Sequence, residues 1–252
     1  MLVDTHAHLQ WPSFDPDRIE VIERAKMKDV KVIVNVGYDL AACKHTVDIA
    51  EQHQEVVATV GVHPHNANSF TESTERALRN LAKRSKVVAI GEIGLDFYRN
   101  LSPRDQQMRA FEQQLALAQE LSLPVVIHQR NAEQETLKAL RGFSGKRILM
   151  HCWSGSLDMA LVYVQLGCMI SLAGPVTFPS ARRLHEVAKA IPARSLVLET
   201  DSPWLAPQPH RGARNEPAFL VSIADTVARL RGVDTKAIAD VTTENARRFF
   251  SI

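Results

Sequence analysis

Short apolar strands alternate with helical segments eight times along the chain, and this pattern constrains the fold more than any other feature. The predicted strands are residues 2–8, 31–36, 56–62, 87–92, 124–128, 147–151, 168–172 and 195–201. Alternation of this kind is typical of a parallel sheet, and eight units favour a closed barrel. No glycine-rich phosphate-binding sequence follows the first strand, which argues against an open doubly wound sheet. We therefore predict an α/β fold with one (β/α)8 TIM-barrel domain over residues 1–252.

Segments with helical spacing separate these strands. The predicted helices are residues 17–28, 39–53, 71–84, 103–121, 132–140, 156–166, 180–190 and 216–231, and residues 234–250 add one or two more. Asp39 is expected to cap the second helix. Ser102 before Pro103 fits an N-cap followed by a proline in the first helical turn.

Composition narrows the class of protein. A net charge of +2 over 252 residues does not imply an extensive nucleic-acid-binding patch, so any basic site must be local. Cys43, Cys152 and Cys168 are too scattered for a disulfide framework and favour a reducing compartment. The uncharged stretch 159–181 contains glycine and proline and predicts a helix, a strand and a loop, not a membrane span. We expect a cytoplasmic protein with no membrane partner, and a monomer is favoured.

The first strand carries the pattern His-x-His. Because successive strand residues point to opposite faces, His6 and His8 share one face and end together. Two neighbouring imidazoles can hold a divalent cation, although such a pair alone is as easily structural. The pattern gains weight because other residues of ligand type end other strands.

Residues of ligand type converge at the strand ends, where barrels of this class carry their active sites. They are His6, His8, His63, His65, Glu92, His128, His151 and Asp201. Imidazoles and carboxylates in this number suit two divalent cations (magnesium, manganese or zinc). We predict that His6, His8 and Asp201 hold one cation, that His128 and His151 hold the other, and that Glu92 bridges them.

Two such cations can clamp the attacking and leaving oxygens of a phosphodiester, with Glu92 and Asp201 as the catalytic carboxylates. Asp201 is expected to accept or relay the proton of the attacking water. Asp4 and Glu199 lie two residues before His6 and Asp201, and each is a candidate acceptor that orients a ligand imidazole. A buried acid that bonds to backbone is an equally good interpretation of either residue.

Several further residues that follow strand ends are candidates for substrate binding. His63 is expected to donate to a phosphate oxygen. Arg130, Arg214 and Asn215 could grip phosphates. Trp153 could stack on a base, although loop packing explains this residue equally well.

Together the motifs resemble the TatD family of metal-dependent hydrolases. They are Asp4-Thr5-His6-Ala7-His8-Leu9, Gly61-Val62-His63-Pro64-His65, Gly91-Glu92-Ile93-Gly94-Leu95-Asp96, His151-Cys152-Trp153-Ser154-Gly155, Glu199-Thr200-Asp201-Ser202-Pro203, Arg214-Asn215-Glu216-Pro217 and Thr243-Glu244-Asn245-Ala246. The resemblance implies a TIM-barrel deoxyribonuclease that trims single-stranded DNA from the 3′ end with divalent ions. It also implies the same six metal ligands: His6, His8, Glu92, His128, His151 and Asp201.

Two other functions stay open at this point. The same barrel and metals could hydrolyse a different bond, in a lactone, a cyclic amide or an aminoacyl ester. A nucleic-acid-binding barrel without catalysis is the third hypothesis, and the complete ligand set argues against it.

Overall fold

The computed structural model describes residues 1–144 and 147–252. The strands are β1 Leu2–Ala7, β2 Val30–Val36, β3 Val56–Val60, β4 Val87–Asp96, β5 Val125–Arg130, β6 Ile148–Met150, β7 Met169–Leu172 and β8 Leu196–Leu198. They belong to one eight-stranded sheet and follow one another in chain order. A parallel bridge between Ala7 and Ser202 brings the chain after β8 back to β1. The predicted (β/α)8 TIM barrel is confirmed.

Each strand is followed by at least one helix in the part of the chain that the structure describes. The α-helices are α1 Arg18–Met27, α2 Leu40–Gln52, α3 Glu72–Leu81, α4 Arg104–Leu121, α5 Glu133–Gly142, α6 Leu157–Gln165, α7 Arg182–Ala190, α8 Leu220–Arg231 and α9 Thr235–Phe250. Asp39 caps α2 as predicted, since its side chain accepts a hydrogen bond from the backbone of Ala42. Within residues 1–144 and 147–252, no helix is both long and apolar enough to cross a membrane.

The chain forms two compact units, which we call the terminal unit (Met1–Asn35 with Cys152–Ile252) and the central unit (Val36–His151). The expectation of one domain over residues 1–252 stays a prediction. In the terminal unit, β1 pairs with β2 and β7 with β8. In the central unit, β3, β4, β5 and β6 pair in sequence. All of these pairs are parallel, and most of their apolar side chains are buried.

Several boundaries differ from the predictions, and three of the differences bear on the candidate site. Strand β4 continues to Asp96, four residues past the predicted end, because its pairing with β5 extends to Asp96 and Arg130. Ser102 does not cap α4; it is buried, and its hydroxyl donates to the backbone oxygen of His65. Strand β8 is short, and Asp201 lies beyond it with a left-handed φ of 55°.

Candidate metal centre

In the terminal unit, the first strand and the segment after β8 bring three predicted ligands together, and we call them the terminal cluster (His6, His8 and Asp201). The two imidazole Nε2 atoms lie 3.1 Å apart. Asp201 Oδ1 lies 3.6 Å from His8 Nε2 and 3.9 Å from His6 Nε2. The Asp201 amide donates to the backbone oxygen of His6 at 2.9 Å, which ties the carboxylate to β1. Three potential ligand atoms therefore face one small volume.

Asp4 is buried behind this cluster. Its Oδ1 accepts from the Thr200 amide at 2.9 Å and from the His6 amide at 3.3 Å, and its Oδ2 accepts from the Thr200 hydroxyl at 2.6 Å. Burial raises the pKa of Asp4 to about 8. These contacts hold the segment that carries Asp201 against β1. The predicted bond from Asp4 to an imidazole stays a prediction.

Glu199, the other acid proposed to orient an imidazole, is also fully buried. Its Oε1 accepts from the Cys152 amide at 2.7 Å. Glu199 thus fastens the chain after β6 to the end of β8. A role toward an imidazole stays a prediction for this residue as well.

In the central unit, a single buried carboxylate contacts three imidazoles, and we call this group the central cluster (His63, Glu92, His128 and His151). Glu92 Oε1 lies 2.7 Å from His151 Nε2, 2.8 Å from His128 Nδ1 and 3.4 Å from His63 Nε2. Burial alone would raise the pKa of Glu92, but the neighbouring histidines outweigh it and hold that pKa well below its usual value. The carboxylate is therefore ionised and available as a ligand.

His63 was predicted to bind substrate phosphate, and the structure places it among the potential metal ligands. Ligand atoms of His63, Glu92 and His128 lie within 4.8 Å of one another. Burial lowers the pKa of His63 to about 4, so its imidazole is neutral near pH 7. The neutral form is the one that coordinates a metal.

Asp96 is a functional candidate that the sequence analysis missed. Its Oδ2 lies 2.8 Å from His65 Nε2 and 3.2 Å from His128 Nε2. Burial opposes ionisation of Asp96, but the bonds to His128 and His65 outweigh it and lower its pKa below the usual value. Alternation along β4 could have revealed it, because Glu92, Gly94 and Asp96 occupy every second position.

Gly94 allows β4 to reach Asp96. Its φ of 138° lies in the region that other residues avoid. A side chain at this position would collide with the backbone oxygen of His128, because Gly94 pairs with His128 in the β4–β5 register. The glycine thus permits the close strand contact that sets Asp96 beside the His128 ring.

The donor atoms of both clusters fit a divalent cation. Two ligand atoms that each lie about 2.1 Å from a tetrahedral zinc ion are roughly 3.4 Å apart. The separations of 3.1–3.9 Å in the terminal cluster and 2.7–3.4 Å in the central cluster bracket that value. Mixed imidazole and carboxylate ligands suit zinc or manganese better than magnesium, which prefers oxygen.

The base-stacking role of Trp153 stays a prediction, and the position of the side chain argues against it. Its side chain is 5% exposed and packs edge-on against Tyr163 inside the terminal unit, so its ring is not available to a base. Arg130, by contrast, is exposed at the end of β5. Its guanidinium lies 3.9 Å above the ring of Tyr98, and its phosphate contact stays a prediction.

Arg214 and Asn215 have partners within the protein that the sequence did not indicate. Arg214 forms a two-pronged ion pair with Asp17, at 2.8 and 2.7 Å, and lies over the ring of Phe14. Asn215 is fully buried, and its Nδ2 donates to the backbone oxygen of Thr200 at 2.8 Å. Both residues fasten the loop after β8, which argues against direct phosphate contacts.

Comparisons with known proteins agree with this architecture. Residues 3–251 match the family described as TatD related DNase. The chain is 41% identical to the uncharacterized metal-dependent hydrolase YabD of Bacillus subtilis over 254 residues, covering 100% of both chains. It is 39% identical to the 3′-5′ ssDNA/RNA exonuclease TatD of a Rahnella species, covering 95% of this chain and 94% of that one.

A solved structure extends the likeness to three dimensions. The TatD homolog YjjV of Escherichia coli K12 superposes with a TM-score of 0.95 at 30% identity, covering 100% of this chain and 98% of that one. The sequence motifs and the fold therefore lead to the same family.

Proposed function

The chain belongs to the TatD related DNase family and is a metal-dependent hydrolase, and on this premise we propose that it cleaves phosphodiester bonds of single-stranded DNA from the 3′ end. The observation that carries the proposal is the pair of imidazole–carboxylate clusters, each with ligand atoms close enough to share a cation. The name of the Rahnella relative, a 3′-5′ ssDNA/RNA exonuclease, supports a nucleic-acid substrate.

Each cluster would hold one divalent cation. His6, His8 and Asp201 would bind the first, and Glu92 with His63, His128 and His151 would bind the second. A bound cation lowers the pKa of a coordinated water and polarises a phosphoryl oxygen. The bridging role of Glu92 and the identity of the metal stay predictions.

The protein's own residues would position the reactants and move the proton. Asp201 has a 14% exposed side chain, so water can reach its carboxylate while the fold holds it beside His6 and His8. We expect Asp201 to accept the proton of the attacking water as the bond from the water oxygen to phosphorus forms and the bond from phosphorus to the leaving sugar oxygen breaks. His65, whose Nε2 meets Asp96, has a 28% exposed side chain and can donate to a substrate oxygen.

A cleavage assay tests this proposal. A short single-stranded DNA labelled at its 5′ end is incubated with metal-free protein and added magnesium, manganese or zinc. We expect a ladder that shortens from the 3′ end and needs the metal. The Asp201→Asn variant should lower the rate by more than about 1,000-fold without unfolding, because the amide cannot accept the proton.

Asp240→Asn is the matched control, since it makes the same change on the exposed surface of α9. It should cleave at the wild-type rate. A wild-type rate from Asp201→Asn would remove Asp201 from the mechanism. Binding of metal without cleavage of any oligonucleotide would overturn the nuclease proposal.

Hydrolysis of a small neutral ester or amide is the second candidate. The specific observation behind it is that Arg214 pairs with Asp17, which leaves fewer cationic groups for a phosphate backbone. Turnover of a lactone or an aminoacyl ester, with no cleavage of DNA or RNA by the same preparation, would favour it.

A further inference from the structure

We propose that the indole of Trp204, with Trp11 beside it, stacks on a nucleobase next to the terminal cluster. This inference rests on the proposed nuclease function and deepens it, because it assigns the part of the substrate that these rings recognise. The ligand is a base of single-stranded nucleic acid that flanks the phosphodiester to be cleaved.

The position and exposure of Trp204 are the first evidence. Its side chain is 41% exposed, whereas Trp153 is 5% exposed and belongs to the core. The centroid of the Trp204 ring lies 5.0 Å from the His8 ring and 4.8 Å from the Trp11 ring. A large apolar surface therefore borders a predicted metal ligand and remains open to solvent.

Backbone hydrogen bonds tie the two residues that carry the indoles to the residues of the terminal cluster. The Trp204 amide donates to the backbone oxygen of Asp201 at 3.0 Å, and the Trp11 amide donates to that of His8 at 2.9 Å. The Trp204 carbonyl accepts from Asn215 Nδ2 at 2.6 Å. The backbone positions that carry the two rings are therefore fixed relative to the ligands, which reduces the entropy lost when a base stacks.

The loop that carries Trp204 also packs closely on a glycine. A side chain at Gly174 would collide with the backbone oxygen of Leu205, so the glycine lets the loop approach the chain after β7. Trp204 is thus held by contacts on both sides of its own position. An exposed indole contributes less to the stability of the protein than a buried one. Its exposure in a well-supported loop therefore indicates a function for the ring.

A nucleobase is the ligand that fits this surface. Every base presents an aromatic face, and stacking on an indole tolerates any sequence, as a trimming nuclease requires. The chain carries a net charge of only +2, so phosphate attraction alone gives a weak grip and apolar contacts gain importance. We therefore assign to Trp204 the base stacking that the sequence suggested for Trp153.

Steady-state kinetics on two matched oligonucleotides test the inference. One is a natural single-stranded 12-mer, and the other is abasic at its last two 3′ positions and so retains the phosphates without the bases. We expect Trp204→Ala to raise KM for the natural strand by about tenfold with kcat within twofold. On the abasic strand, wild type should already show the raised KM, and the substitution should change it no further.

Two variants serve as controls. Trp204→Phe keeps an aromatic face and should restore most of the affinity for the natural strand. Leu205→Ala removes a neighbouring side chain that is 38% exposed but cannot stack, and it should leave KM unchanged. Equal KM values of the wild-type protein for the two strands, or a loss of kcat from Trp204→Ala on both, would overturn the stacking role while the nuclease function stands. If wild type cleaves neither strand, the proposed function fails and this inference fails with it.

Discussion

The terminal and central clusters contain the same kinds of ligand atom in different surroundings. In the terminal cluster, Asp201 stands 3.6 Å from the nearer imidazole, its side chain is 14% exposed, and exposed indole surface lies alongside. In the central cluster, the Glu92 side chain is 4% exposed and lies 2.7 and 2.8 Å from two imidazoles. Asp96 supports the central cluster through its contact with Nε2 of His128.

This difference indicates that the two clusters have different roles, one in metal binding and the other in turnover. Buried, tightly paired ligands are organised before a cation arrives, which favours affinity. A looser and more exposed carboxylate has room for water and for substrate, which favours chemistry. We therefore expect changes in the central cluster to act mainly through metal content and changes in the terminal cluster to act mainly through turnover.

Within the central cluster, the largest effect is expected from Glu92→Gln. The amide cannot supply the negative charge that three imidazoles and a cation share, so bound metal should fall and kcat should drop by more than about 100-fold. Elemental analysis of protein dialysed against limiting zinc measures the metal directly. Asp201→Asn should retain more metal than Glu92→Gln under the same conditions. Equal metal content in the two variants would erase the proposed distinction.

A smaller effect is expected from Asp96→Asn. Removing a charged partner behind a ligand imidazole typically weakens metal affinity by about 10- to 100-fold. Burial alone would lower the pKa of His128, but its bonds to Asp96 and Glu92 raise that pKa above its usual value. In metal-free protein, the substitution should therefore lower the His128 pKa, which NMR titration of the ring can follow.

The control for that change is Asp48→Asn on the exposed face of α2. It should alter neither zinc affinity nor the titration of His128. If Asp96→Asn bound zinc as tightly as wild type, Asp96 would be a structural acid, and the organisation proposed for the central cluster would lose its main support.

The smallest effect is expected from Arg214→Ala, which tests whether this residue holds the terminal unit together or grips substrate. Hydrogen bonds from Arg214 help lower the pKa of Asp17 to about 2, from 3.8. A lowered carboxyl pKa contributes stability above pH 4 that is lost as the pH falls toward 2. The variant should therefore lose about 1 kcal/mol near pH 7, because the pair is partly exposed, and the difference should shrink below pH 4.

Thermal denaturation at several pH values, with KM for single-stranded DNA, separates the two roles of Arg214. The control is Arg211→Ala in the same loop, where the guanidinium lies over the ring of Phe178. An unchanged melting curve for Arg214→Ala combined with a tenfold higher KM would restore the phosphate-binding role.

Much of the fold follows from local patterns. Apolar runs bounded by loop residues located all eight strands, and the closing bridge between Ala7 and Ser202 agrees with a barrel. The extension of β4 beyond residue 92 was missed, because Gly94 interrupts the apolar run and only pairing with β5 reveals the strand. The same pairing explains why Asp96 escaped notice.

The candidate site residues likewise fall into two groups: those that local sequence patterns place correctly and those whose surroundings depend on tertiary contacts. Strand alternation places His6 and His8 on one face, and the structure brings them together as expected. The partners of Trp153 and Arg214 could not be predicted, since they come from distant parts of the chain. Side-chain direction in a loop depends on such tertiary contacts, which have no local signature.

Gly94 has a consequence for how this protein can change. Its missing side chain fixes the spacing between two strands, so a protein engineer has no freedom at that position without losing the register that seats His128 and Asp96. Trp204 lies in a loop with its side chain partly exposed, so we expect that another aromatic side chain can replace it without disturbing a strand. Under selection for a new substrate, we therefore expect substitutions in the loop that carries Trp204 and none at Gly94.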